Sequence, residues 1–217
     1  MKSLVVFLLL FELIYLQPEG KYYQCGGFIA NMIQISEDNF LDEDKTASNF
    51  NRKLDDSQFH DFHIYFDYVN LYEDIATFKL GQNAQTIITN AIKKAIATLE
   101  SLLKVVNTPN VIWRDEHRER MGLKSWNESY PCLGDYAGTG MKKLNIDLAA
   151  FGKLDDKMDS SILSSGEGHF IDDNKRPLTG VITFNSNIDF SHKNIERYLT
   201  SIILHEFTHI LGFISYT

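Results

Sequence analysis

Apolar positions recur along this chain with two different periods. Between residues 82 and 106 (QNAQTIITNAIKKAIATLESLLKVV), Ile88, Ile92, Ile96, Leu99 and Leu103 return at helical spacing, which predicts a long helix with one apolar face to lay against a sheet. Between residues 191 and 213 (SHKNIERYLTSIILHEFTHILGF), Ile195, Tyr198, Leu199, Ile202, Ile203 and Leu204 give a second helix an apolar body, with Ser191 as its expected N-cap and Gly212 as its stop. The strand signals are shorter. Residues 63–70 (HIYFDYVN) alternate and are rich in β-branched and aromatic side chains. Residues 111–113, 145–151 (NIDLAAF) and 181–185 (VITFN) supply three further candidates. Residues 114–133 read as a polar loop, 134–140 (GDYAGTG) as a flexible connection, and 155–177 as another polar loop turning on Gly166 and Gly168. The expected order is strand, long helix, several short strands, then a final helix, an α+β arrangement.

The N-terminal third breaks this pattern. Lys2 followed by an apolar run from Leu4 to Leu16, interrupted by Glu12, reads as a signal peptide over residues 1–20 with cleavage near Gly20. The run is short for a membrane span, and an uncleaved signal anchor is the alternative. Residues 21–61 are expected to be a pro-segment or linker, because 36–61 carry eight acidic against three basic side chains with little periodicity. The folded domain is then expected over residues 62–217, in a secreted or cell-surface protein. Cys25 and Cys132 permit one internal bridge in an oxidising compartment, and Asn127-Glu128-Ser129 is a glycosylation sequon that fits the same location.

Composition adds mainly an exclusion. In 217 residues, a hydrophobic fraction of 44% and an aromatic fraction of 12% suit a globular core, while a net charge of -8 argues against a nucleic-acid partner, which needs clustered Lys and Arg.

The chemistry is concentrated in the final helix. His205 and His209 are four residues apart, so one helical face presents both rings to a single metal ion, and Glu206 stands beside them as a candidate general base. A chain of this length shows His-Glu-x-x-His by chance roughly once in two hundred cases, so the motif carries weight mainly through its apolar helical context. Zn2+ is the metal this donor set suits. His60, His63, His117, His169 and His192 have no spacing that ties them to the pair, and a lone loop histidine is more often a solvated side chain than a ligand.

Four stretches in order, residues 63–71 (HIYFDYVNL), the strand region around Asp147, residues 176–185 (RPLTGVITFN) and residues 205–213 (HEFTHILGF), resemble the leishmanolysin family of secreted or surface zinc metalloproteases, a branch of the metzincins. The resemblance implies a metzincin-like N-terminal subdomain: a twisted mixed sheet with a backing helix and an active-site helix, residues 181–185 near the cleft, and protein or peptide substrates. It implies Glu206 as catalytic base and His205 and His209 as zinc ligands. Two departures accompany it. Most metzincins place a third histidine where this chain has Ser215, and the leishmanolysin type places it far downstream after an insertion, so 217 residues are expected to hold two of three ligands. Family members also carry more cysteines. Here Cys25 is read as bridged to Cys132, as lacking a partner, or as a thiolate that occupies the metal's open position. The expected function is a zinc-dependent endopeptidase represented by an incomplete chain. The alternative is a truncated, catalytically inactive relative that binds proteins or mediates adhesion at a cell surface. Any membrane-surface association is expected through a C-terminal segment beyond Thr217.

Overall fold

A computed structural model describes residues 33–34, 59–106, 114–126, 141, 144–172 and 175–212. The signal segment, both cysteines, the sequon, residues 111–113, residues 134–140, Ser215 and most of the acidic stretch lie outside the described residues.

The described elements are, in order, β1 (Ile33–Gln34), β2 (Phe59–Asp61), β3 (Ile64–Asp67), α1 (Val69–Thr77), α2 (Gly81–Leu102), β4 (Lys104–Val106), α3 (Asp115–Arg120), β5 (Leu148–Asp155), β6 (Ser164–Ile171), β7 (Pro177–Asn185) and α4 (Ile195–Ile210). The class is α+β, as expected. Five strands form one mixed sheet in the order β1-β6-β7-β5-β3, and β2 pairs with β4 in a separate two-stranded sheet. Strands β3, β5 and β7 run parallel, and β6 runs antiparallel to β7.

Both faces of the main sheet are covered, which explains why β5 is buried at five consecutive positions. Successive side chains point to opposite faces. Leu148, Ala150 and Leu154 therefore join Ile182 and Phe184 under the helices, while Ala149 and Phe151 join Val181, Trp126 and Met141 in a second cluster. The long helix α2 buries Ala84, Ile88, Ala91, Ile92, Ala95 and Leu99, the stripe its spacing predicts. It packs along α4, and Lys94 and Glu196 form an ion pair across the two helices at their exposed margin.

Several local expectations are corrected. The first strand is shorter than residues 63–70, because the Asp67 carboxylate accepts the Val69 N–H at 2.8 Å and turns the chain into α1. The long helix ends at Leu102 rather than Val106: Leu103 is extended, and the β-branched pair Val105-Val106 goes into β4. Strand β4 pairs with β2, so Phe59–Asp61, placed in the linker by composition, belongs to the ordered structure. The loop reading of residues 114–133 misses α3, whose first turn carries Asp115 and Glu116, acidic side chains that suit a helix N-terminus. Ser191 does not cap α4. Its hydroxyl donates to Asp189 at 2.6 Å, and the helix starts after Asn194. Gly212 ends the helix as expected, with φ at 85°.

The largest correction concerns residues 155–177. They contain the eight-residue strand β6, and Ser164, Gly166 and Gly168 form its buried face while Ser165, Glu167 and His169 point away. The register becomes irregular at Gly168 and Phe170, beyond which Phe170 belongs to the opposite cluster. Arg176 closes the turn into β7: its N–H donates to the Asp172 carboxylate at 2.8 Å and its guanidinium to the Val106 carbonyl at 3.2 Å.

Helix α4 crosses this small-residue face at very short range. A Cβ on Gly166 would lie 2.5 Å from the Glu206 carbonyl oxygen and 2.8 Å from the Glu206 Cβ, and one on Gly180 would run into the Ile210 side chain. Gly166→Ala must therefore displace backbone, and it is expected to cost about 1–3 kcal/mol or more. Gly180→Ala brings its Cβ within 2.6 Å of the Cγ1 and Cγ2 branch atoms of Ile210, and because this β-branched side chain is fully buried and has one favoured helical rotamer, the cost is expected to be comparable. Urea denaturation of the two variants tests this, and a midpoint equal to wild type in either would contradict this packing.

Candidate metal centre

The last two turns of α4 divide by face. Phe207 and Ile210 are fully buried beneath the helix, whereas His205 and His209 are only partly covered. Glu206 is turned by about 100° from His205, as one helical residue dictates. That rotation carries it off the histidine face and onto β6, where it is 1% exposed.

The two imidazoles converge. Their Nε2 atoms are 3.1 Å apart, with ring centroids at 4.6 Å and planes at 88°. Two nitrogens bound to one tetrahedral zinc at 2.0–2.1 Å would stand about 3.3 Å apart, so the pair fits a shared metal with little movement. Burial, and secondarily the charge of His209, lowers the His205 pKa to about 4, which keeps this ring neutral at physiological pH as a ligand must be.

Glu206 is a buried carboxyl group with one satisfied oxygen. Its Oε1 accepts the Ser164 hydroxyl at 3.0 Å, and its Oε2 is buried with no hydrogen-bond partner among the described residues. Burial raises its pKa to about 8, opposed by the Ser164 hydroxyl and the nearby Gly166 N–H, both of which favour the ionised form. A divalent cation at the histidine pair would act in the same direction as those two donors. An orphaned acidic oxygen on the residue next to the first of two converging imidazoles fits a metal with a reactive water.

The other histidines are placed elsewhere. His60 bonds both oxygens of the buried Asp147 at 3.1 and 3.2 Å, and Asp147 also accepts the His63 N–H at 3.0 Å. This ties β2 to the start of β5. His117 meets Phe170 edge-on, and His192 lies against Tyr198. Among the described residues no third His, Cys, Asp or Glu joins His205 and His209 into a metal-binding group.

Ser164 and Gly166 are the site residues that the motif reading missed. Their one signal is the alternation of small with larger polar residues in Ser164-Ser165-Gly166-Glu167-Gly168-His169. Comparison with family models, with curated proteins and with solved structures finds no match.

On the same strand, burial and the charge of Lys153 lower the His169 pKa to about 4. Its folded value lies below the ordinary 6.5, so its contribution to stability is full above pH 6.5 and is lost as pH falls toward 4. The whole effect is at most about 3 kcal/mol, from 1.36 kcal/mol per pKa unit. His169→Gln is expected to flatten this acid limb. Urea unfolding at several pH values between 7 and 4 checks it, and an identical slope in variant and wild type would refute the assignment.

Proposed function

We propose that this protein is a zinc-dependent endopeptidase of the leishmanolysin type, with the α+β unit as the metzincin-like part of its catalytic domain. The observation that carries the reading is the convergence of the His205 and His209 Nε2 atoms at 3.1 Å beside the buried carboxyl group of Glu206. The sheet adds support: β6 is antiparallel to β7, and among the described residues its outer side pairs only with the two-residue β1 at Phe170 and Ile171, an edge of the kind an extended peptide can pair with. Protein or peptide chains are the substrates this reading assigns.

Bound zinc would supply Lewis acidity, which makes a water acidic and a peptide carbonyl electrophilic. His205 and His209 would hold it through Nε2, and its third protein ligand comes from outside the described residues. Glu206 takes the proton of the attacking water as the water oxygen bonds to the carbonyl carbon. It then gives that proton to the amine nitrogen as the carbon–nitrogen bond breaks, leaving a carboxylic acid and an amine. The segment at residues 1–20 would direct such a peptidase to secretion or to the cell surface. Among the described residues no helix is long and apolar enough to cross a membrane.

The purified protein is expected to carry about one zinc per chain, and chelation is expected to abolish casein cleavage together with the metal. Glu206→Gln should retain zinc while losing cleavage by about 10²- to 10⁴-fold. His205→Ala and His209→Ala should lose both. Cleavage that survives in Glu206→Gln would remove Glu206 from the mechanism, and zinc-free protein from metal-supplemented expression would favour the protein-binding alternative.

A further inference from the structure

We propose that Ser164 is the positioning residue for Glu206: its hydroxyl, donated to Oε1, fixes the carboxylate against β6 and leaves Oε2 as the oxygen that takes and returns the proton. The inference rests on the endopeptidase reading and deepens it by naming what aims the base.

The hydrogen bond is buried at both ends, with Ser164 2% and Glu206 1% exposed, and spans 3.0 Å between residues 42 positions apart. A glutamate has three side-chain torsions, and without an anchor its carboxylate samples several orientations. Here the surroundings remove that freedom. Gly166, two residues along the same face of β6, lies so close to the Glu206 backbone and Cβ that the strand walls that side.

Ser164 is itself held in place. It pairs with Phe184 of β7, and the preceding residue, Leu163, accepts the Asn185 N–H at 2.9 Å. The Asn185 side chain donates to the Ile162 carbonyl at 2.8 Å and the Asp159 carbonyl at 3.0 Å, which fixes the loop that leads into β6. The donor therefore stands on a strand and a pinned loop, while the acceptor stands on a helix packed against that strand. Such support is what a base needs if its geometry is to be set before substrate arrives.

Steady-state kinetics and zinc analysis of Ser164→Ala and Ser164→Thr test this. Ser164→Ala is expected to lose about 10- to 100-fold in kcat with KM and zinc content unchanged, the range typical of partners that orient metal-site residues. Ser164→Thr, which keeps the hydroxyl, should recover most of the loss. In the metal-free protein, the infrared carboxyl band that disappears in Glu206→Gln should shift in Ser164→Ala. Unchanged kcat in folded, zinc-loaded Ser164→Ala, or an unshifted band, overturns the proposal. Should Ser164→Ala not fold, Ser164→Cys, close in size with a weaker donor, is read in the same way. Failure of the endopeptidase reading shows instead in the wild type, as absent zinc or absent cleavage, and overturns both.

Discussion

The close approach of α4 to β6 and β7 sets the conditions for everything around the candidate metal centre. Gly166 and Gly180 supply no side chain where the helix crosses the sheet, so the Glu206 backbone reaches Gly166 and the Ile210 side chain reaches Gly180 more closely than a Cβ would allow. Close approach buries Phe207 and Ile210 and brings Glu206 into the interface with them. A carboxyl group there needs a donor, because an unpartnered buried polar group costs about as much as a sizeable packing defect. Ser164 provides one, and the same small-residue strand thus permits the contact and tempers its electrostatic cost.

The rest of the fold holds these two elements in register. Helix α2 packs along α4, and Phe184 and Ile182 belong to the same apolar cluster as both. On the opposite face, Phe151, Val181, Trp126 and Met141 form the second apolar layer, so β5 and β7 are clamped from both sides. Asn185 and Arg176 fix the two ends of the β6–β7 pair with half-buried hydrogen bonds. A strand that carries Ser and Gly on its packed face has little apolar burial of its own. Its position follows from its neighbours, chiefly the β7 ladder and the helix laid over it.

That dependence explains what could be read from the sequence. Helices α2 and α4 were legible because Ile88, Ile92, Leu99, Leu199 and Ile203 recur with the period of a helix, and β5 and β7 because Leu148 to Phe151 is an apolar run and Val181 to Phe184 is rich in β-branched and aromatic side chains. The histidine pair and Glu206 were legible because their relation is local, fixed by helical geometry alone. Strand β6 was not, since Ser164, Gly166 and Gly168 mark a buried face by being small, and two glycines in a polar stretch read as a loop. The misplaced ends of the first strand and of α2 have the same root. Asp67 turns the chain through its own side chain, and Val105-Val106 leaves the helix because β2 is there to pair with it, a partner more than forty residues away.

The position of Glu206 between the two histidines follows from the same geometry. On a helix with about 100° per residue, His205 and His209 are separated by about 40° and share the partly covered face, while the residue after the first histidine lies about 100° round from it. A helix that buries the flank next to its histidine face must therefore bury that residue. Were the flank open to solvent, the carboxylate would be hydrated and mobile; were it packed against large side chains, there would be no room for it. A strand with Gly166 at the point of closest approach and Ser164 one step away along the same face is the arrangement that leaves space for the carboxylate and still fixes one of its oxygens. The surroundings of Glu206 thus come half from the His-Glu-x-x-His helix and half from the small-residue face of β6 on which that helix is packed.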